Sequence, residues 1–258
     1  MPLVTTPAVV LHVMPYGDTS KIVRLLARDL GLVSGIARGA RRARASTGPR
    51  LDLFALGDAT LRVRESRDLH PLTAFEARDP HPELAHGLER FAAACALAEL
   101  VLKTAPAEAH PGFFAAVAGG LSALGAAAEP DVDATALAAC WAAVVALGFS
   151  PSLDRCVTCG APVAEGAVHF SAAAGGALCA AHRGGSAGGG GVSKLAPADR
   201  DALTALVAGL LPERPLDARH AAAHRRLLLS FIRYHLAEDR PLPAMAFWDQ
   251  EPWTATSS

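Results

Sequence analysis

Hydrophobic and polar positions change their period once along this chain, near residue 80, and the change predicts two kinds of architecture. Ala8–Met14 is an apolar, β-branched run that stops at Pro15-Tyr16-Gly17-Asp18, a turn sequence. Ser20–Arg28 and Leu32–Arg38 flank Asp29-Leu30-Gly31, which predicts a hairpin. Ala59, Leu61 and Val63 alternate with Thr60, Arg62 and Arg64, the period of two expected of a strand with one buried face. Leu69–Phe75 predicts a fifth strand. Five short strands in one stretch predict a small closed barrel, with the OB-fold as the leading form.

From Pro82 the apolar positions space differently. Leu84, Leu88, Phe91, Cys95, Ala98 and Leu102 recur at steps of three and four, which predicts one buried helical stripe. Further helices are expected over about 113–124, about 133–147 with a stop at Gly148, 197–211 and 221–236. Cys140 and Trp141 read as core residues, and the tail from Glu238 as an irregular strap. The predicted fold class is α+β in two domains. Residues 1–80 form an OB-fold barrel, and residues 81–258 a helical domain with a metal-binding loop inserted at 150–192.

Composition narrows the class. Apolar residues make up 51% and charged residues 19% of 258 positions, so the chain can bury a core and is not disordered. Five cysteines, an odd number, argue against a disulfide framework and for a reducing compartment. No basic leader and no apolar run of membrane-spanning length is visible, so a cytoplasmic protein is expected.

The densest chemistry is Cys156-Val-Thr-Cys159 followed by Cys179-Ala-Ala-His182. Two close ligand pairs separated by a loop suit a tetrahedral Zn²⁺, and four protein ligands leave no open position. One structural zinc per chain is therefore expected, with Gly160 serving the turn after the first pair and Gly175 and Gly176 the turn before the second. His169, inside the loop, is an alternative to His182 as fourth ligand.

Net charge is −1, so any attraction to nucleic acid must be local. It is concentrated between Lys21 and Arg50: Lys21, Arg24, Arg28, Arg38, Arg41, Arg42, Arg44 and Arg50 stand against the single acid Asp29. The densest part, Arg38-Gly-Ala-Arg41-Arg42-Ala-Arg44, lies between the third and fourth predicted strands. An arginine-rich loop on a barrel is the electrostatic footprint of a phosphate-backbone binder. Aromatics for base stacking are scarce, namely Tyr16, Phe54 and Phe75, so phosphate contacts are expected to lead and sequence readout to be slight.

Several motifs fail on context. Gly184-Gly-Ser186-Ala-Gly188 has the spacing of a nucleophile elbow but is embedded in glycine, with no strand before it and no helix after it. The same glycines are not a phosphate loop, because Lys194 follows Val192-Ser193. His81-Pro-Glu83 with the first cysteine pair resembles a zinc nucleobase deaminase only faintly, since Arg155 stands where that signature wants proline. No active site is expected. The competing readings are a zinc-stapled protein-interaction scaffold and, behind it, such a deaminase.

Three stretches resemble the RecO family of bacterial recombination mediators. They are Val9–Val23, then Gly31-Leu32 through Ala37-Arg38-Gly39-Ala40-Arg41-Arg42, and Leu147-Gly148-Phe149 through Leu153, Cys156, Cys159-Gly160 and Gly175-Gly176 to Cys179. They follow the family's order over nearly the whole chain, with His182 where many members carry a fourth cysteine. The resemblance implies a non-enzymatic protein of the RecF pathway of recombinational repair. Such a protein binds single- and double-stranded DNA, anneals complementary strands and helps load recombinase onto DNA coated with single-strand-binding protein. It implies RecR, single-strand-binding protein and RecF as partners, and a cytoplasmic, nucleoid-associated location.

Overall fold

The computed structural model describes residues 2–40, 51–63, 68–163, 166–183, 191–237 and 240–250. The chain divides into two compact units, Met1–Ala126 and Ala127–Ser258.

In the first unit five strands close a barrel: β1 (Leu3–Tyr16), β2 (Ser20–Ala27), β3 (Gly31–Ala37), β4 (Leu56–Arg62) and β5 (Leu69–Asp79). The order is β1-β2-β3-β5-β4, with β4 returning to β1 and β3 parallel to β5. This is the five-stranded Greek-key barrel of the OB-fold. Alternation sets its interior. Ala8 and Val10, Val23 and Leu25, Ala59 and Leu61, and Leu72 and Phe75 point inward into one core. Closure leaves no free sheet edge to be capped. All five strands lie where the pattern predicts them, though β1 begins earlier and β5 runs four residues further than expected.

The strands end at Asp79. A 3₁₀ turn (Pro82–Ala85), α1 (Leu88–Thr104) and α2 (Pro111–Ala126) complete this unit. The apolar stripe expected from Leu84 to Leu102 is not the buried face. The backbone is extended at His86, so Leu84 belongs to a separate turn, while Leu88 and Phe91 are 67% and 39% exposed. The buried positions of α1 are Arg90, Ala92, Ala93, Ala94, Ala96, Leu97, Ala98, Leu100 and Val101, so of the stripe's α1 members only Ala98 is buried. Alanine brings a helix close to its neighbour and loses no rotamer freedom on burial. A rule that follows the large side chains therefore picks the wrong side.

In the second unit α3 (Val132–Ala146) stops at Leu147 and Gly148, as expected. Cys140 and Trp141 are fully buried, with the indole edge-on to Phe231 at 5.1 Å between centroids. α4 (Pro197–Val207) is shorter than predicted: the backbone turns at Gly209, leaving Leu210 and Leu211 exposed. α5 (Ala218–His235) begins at an Asp217 cap whose carboxylate accepts from the His220 N–H. The tail is not an irregular strap among the described residues, since α6 (Pro243–Trp248) buries Met245 and Trp248. A proline at its start presets φ, and the Arg225 guanidinium lies 5.8 Å from the Trp248 ring centroid.

The predicted metal loop contains a sheet of its own, ordered β7-β6-β8: β6 (Val168–Ser171), β7 (Gly176–Leu178) and β8 (Val192–Leu195). Val168 and Phe170 are buried. Among the described residues, hydrogen bonds tie the loop to the helices. Arg200 on α4 donates to the Leu153 carbonyl at 3.0 Å, and His235 on α5 bonds the Ala172 carbonyl at 2.7 Å.

Candidate metal centre and nucleic-acid face

Each ligand pair sits on a turn built by its own backbone. Gly160 N–H donates to the Cys156 carbonyl and Cys156 N–H to the Ala161 carbonyl, both at 2.8 Å, and Gly160 takes φ +71°, where a Cβ would be strained. On the second turn His182 N–H donates to the Cys179 carbonyl at 3.0 Å. β7 joins the two turns, because Val157 N–H donates to Ala177 O at 2.9 Å and Ala177 N–H to Ser152 O at 2.7 Å. Gly176 is required where these strands meet, since a Cβ there would stand 2.3 Å from the Ser152 carbonyl oxygen.

The result is a quartet of Cys156, Cys159, Cys179 and His182 whose ligand atoms all lie within 4.8 Å of one another. Cys179 Sγ is 3.2 Å and Cys156 Sγ 3.7 Å from His182 Nδ1, and Cys159 Sγ is 3.9 Å from Cys179 Sγ. A tetrahedron with Zn–S near 2.3 Å and Zn–N near 2.0–2.1 Å has edges of about 3.5–3.8 Å. The quartet could thus hold one tetrahedral metal ion with the chain barely moving. Its electrostatics suit a cation. The Cys179 backbone N–H, with those of Thr158 and Cys159, brings the Cys156 thiol down to about 5, while the neighbouring Cys156 and Cys179 push the Cys159 thiol up. The Cys179 thiol is lowered by the His182 imidazole beside it.

His169, the alternative ligand, is on β6 opposite Leu178 and Lys194 and is not in the quartet. His81 and Glu83 are not in it either; both His81 ring nitrogens are engaged, with Phe54 O at 3.0 Å and Ser122 Oγ at 2.9 Å. Ser186 and Gly184–Gly190 lie outside the described residues.

The second candidate surface is the outside of β1, β2 and β3. Directly paired residues share a face, so His12 with Arg24, Met14 with Ile22 and Tyr16 with Ser20 all point outward, as do Ser34 opposite Arg24 and Ile36 opposite Ile22. Arg38 follows β3 in a turn and is exposed. Lys21 pairs with Ala37 at that same end. Lys21 and Arg24 are thus on β2, with Arg24 on its outer face, and Arg38 lies in the turn just after β3. Arg41, Arg42, Arg44 and Arg50 lie outside the described residues. Arg28 stands apart at the opposite end of β2, where its Nε meets Asp29 Oδ1 at 3.0 Å in an ion pair that satisfies it.

Of the three aromatics counted in the sequence, Phe54 and Phe75 are buried and only Tyr16 is exposed, at 54%. It shares the outer face with Arg24. Periodicity of two could have singled out Tyr16, but the irregularity between Val10 and His12 inverts the parity that a simple count from the Ala8–Val10 core would give.

Comparison with known proteins agrees with this architecture. Residues 1–81 match the family model described as Recombination protein O N terminal, and residues 85–243 match Recombination protein O C terminal. A protein of Anaeromyxobacter dehalogenans (strain 2CP-C) named DNA repair protein RecO is 36% identical over 257 residues, 97% of each chain. One of the same name from Nocardioides sp. (strain ATCC BAA-499 / JS614) is 31% identical over 248 residues, 93% of this chain and 96% of its own.

Proposed function

The chain belongs to the RecO family of DNA repair proteins, and from that premise we propose that it is a recombination mediator of the RecF pathway that binds and anneals DNA without catalytic chemistry. Residues 1–80 are its nucleic-acid-binding domain and residues 81–258 its helical domain. The observation that carries the reading is the outer face of the barrel, where Arg24 on β2 shares one surface with exposed Tyr16 on β1, and exposed Arg38 follows the end of β3. The β2–β3 face is the part of an OB barrel that binds oligonucleotides. Arg41, Arg42, Arg44 and Arg50, which follow Arg38 in the sequence, supply further phosphate contacts. Guanidinium groups neutralise phosphates on two strands, which reduces their repulsion and raises their local concentration. Base pairing then supplies the driving force. Tyr16 offers one stacking platform and no base-edge code, so recognition is of backbone and not of sequence.

The Cys156, Cys159, Cys179 and His182 quartet binds one Zn²⁺ per chain. All four positions are taken by protein, so the ion ties β7 to the first turn and activates no water. Partners are single- and double-stranded DNA, RecR, single-strand-binding protein and RecF, and the protein acts in the cytoplasm at the nucleoid.

The test is annealing of complementary oligonucleotides coated with single-strand-binding protein, without nucleotide, across a salt series. Acceleration that fades as salt rises is expected. No acceleration, together with no binding at low salt, would leave a zinc-stapled interaction scaffold as the better account.

A further inference from the structure

A second group of metal-ligand side chains lies away from the cysteine quartet, where the first turns of α4 and α5 come together. His220-Ala-Ala-Ala-His224 places two imidazoles four residues apart, on one face of α5, the spacing by which a helix offers two histidines to one ion. From α4, Asp199 Oδ1 stands 3.9 Å from His220 Nε2 and 3.8 Å from His224 Nε2. Two imidazoles thus converge on one carboxylate oxygen from a different helix.

Three further observations point to an ion between them. First, His224 is 2% exposed, and neither ring nitrogen has a hydrogen-bond partner. Leaving a buried donor and acceptor unsatisfied costs about 1–3 kcal/mol, and no neighbouring group of the protein offsets it. Second, His220 Nδ1 is bonded to Asp217 Oδ1 at 2.8 Å, and that carboxylate also accepts the His220 N–H. A proton held on Nδ1 leaves the Nε2 lone pair free to face Asp199. A carboxylate on the far nitrogen is the usual support of a metal-bound histidine. Third, the charge is of the right sign. Asp199 and Asp217 stand beside the two imidazoles, and carboxylates favour a cation.

We propose that Asp199, His220 and His224 form a second divalent-metal site, distinct from the cysteine quartet, selective for borderline ions of the Zn²⁺, Co²⁺ and Ni²⁺ class. Two imidazoles and one carboxylate suit those ions better than Mg²⁺ or Ca²⁺, which prefer all-oxygen sets. With metal–ligand bonds of 2.0–2.1 Å a tetrahedral edge is about 3.4 Å, so the carboxylate and both imidazoles must close in on the ion, the trio not being drawn together as the cysteine quartet is. The Asp199 carboxylate and the His220 ring are both less buried than the His224 ring, so they are the members with room to move. The ion would satisfy His224 and clamp the start of α4 to the start of α5. It would leave one coordination position for water.

The test is Co²⁺ titration of the full chain, followed by absorbance and by equilibrium dialysis with metal analysis. The quartet reports through thiolate-to-cobalt charge transfer, which the new site cannot produce. Wild type is expected to bind two ions per chain, one with and one without that band. Asp199→Asn and His220→Ala should each weaken the second ion at least tenfold and leave the charge-transfer band intact. Asp217→Asn, which removes only the support of His220, should weaken it about ten- to a hundredfold. Cys159→Ser should do the reverse, removing the band and sparing the second ion. His220 and Asp199 are both solvent-accessible, so these variants keep the fold even where His224→Gln does not, and circular dichroism checks that they do. One ion per chain in wild type, or two in both Asp199→Asn and His220→Ala, would overturn the proposal and leave His224 solvated by water.

Discussion

Asp29 is where single side chains decide most in the barrel. Its Oδ2 accepts from the buried Thr6 hydroxyl at 2.9 Å, and its N–H donates to that same hydroxyl oxygen at 3.2 Å, so the β2–β3 turn is tied to β1 by a reciprocal pair. Hydrogen bonds from Arg28, and then from Thr6, hold the Asp29 carboxyl below the usual range. The folded pKa is thus lower than the unfolded one. The stability it contributes is fully present above the unfolded value of about 3.9, and is lost as pH falls through the folded one. Asp29→Asn should therefore melt earlier than wild type at pH 7, with the gap closing below about pH 4; a gap constant with pH would assign the effect to packing. At the same scale, the cysteines divide by environment. Burial pushes the Cys140 thiol up to about 12, which makes it a small apolar core residue and not a ligand.

At the scale of elements, the metal loop is the part whose structure most needs a ligand. β7 has three residues and β6 four, too few to stand alone, and the two ligand turns meet them through backbone bonds at Val157 and Ala177. Binding a structural zinc is in large part folding free energy for such a piece. Chelation of the metal should speed amide exchange at Val157, Gly160 and Ala177 by orders of magnitude and leave the β1–β2 ladder protected. Equal loss of protection in both would contradict a local staple. The quartet was legible in the sequence because both ligand pairs are local and each turn is closed within a few residues. The α1 stripe was misread because burial of an alanine face depends on what packs against it.

For the molecule as a whole, a net charge of −1 gives no long-range attraction to DNA, so the proposed binding would rest on a few basic groups. Arg38, Arg41, Arg42 and Arg44 replaced together by alanine should weaken DNA binding and flatten the log–log salt dependence. The slope should change by about 0.9 for each duplex phosphate that is no longer neutralised, and by about 0.7 on single strands. Arg28→Ala is the control. Its charge is neutralised by Asp29 at the far end of β2, so it should leave the slope unchanged. Unaltered affinity in the quadruple variant would move the DNA surface elsewhere. Among the described residues no helix is long and apolar enough to cross a membrane.

By itself the sequence determined whatever is written in neighbouring residues. The strands are bounded by turn sequences, the change of period near residue 80 separates strands from helices, and the spacing of Cys156, Cys159, Cys179 and His182 announces a metal. The resemblance to RecO rests on the same kind of short, ordered signal. Tertiary structure alone decided what depends on residues far apart. The parallel pairing of β3 with β5 closes the barrel. Arg24 faces outward together with Tyr16, while Arg28 is taken up by Asp29. Asp199 meets two histidines more than twenty residues away in the sequence. A residue's neighbours along the chain set its local conformation, but its charge partner and its buried face are chosen only when distant elements pack.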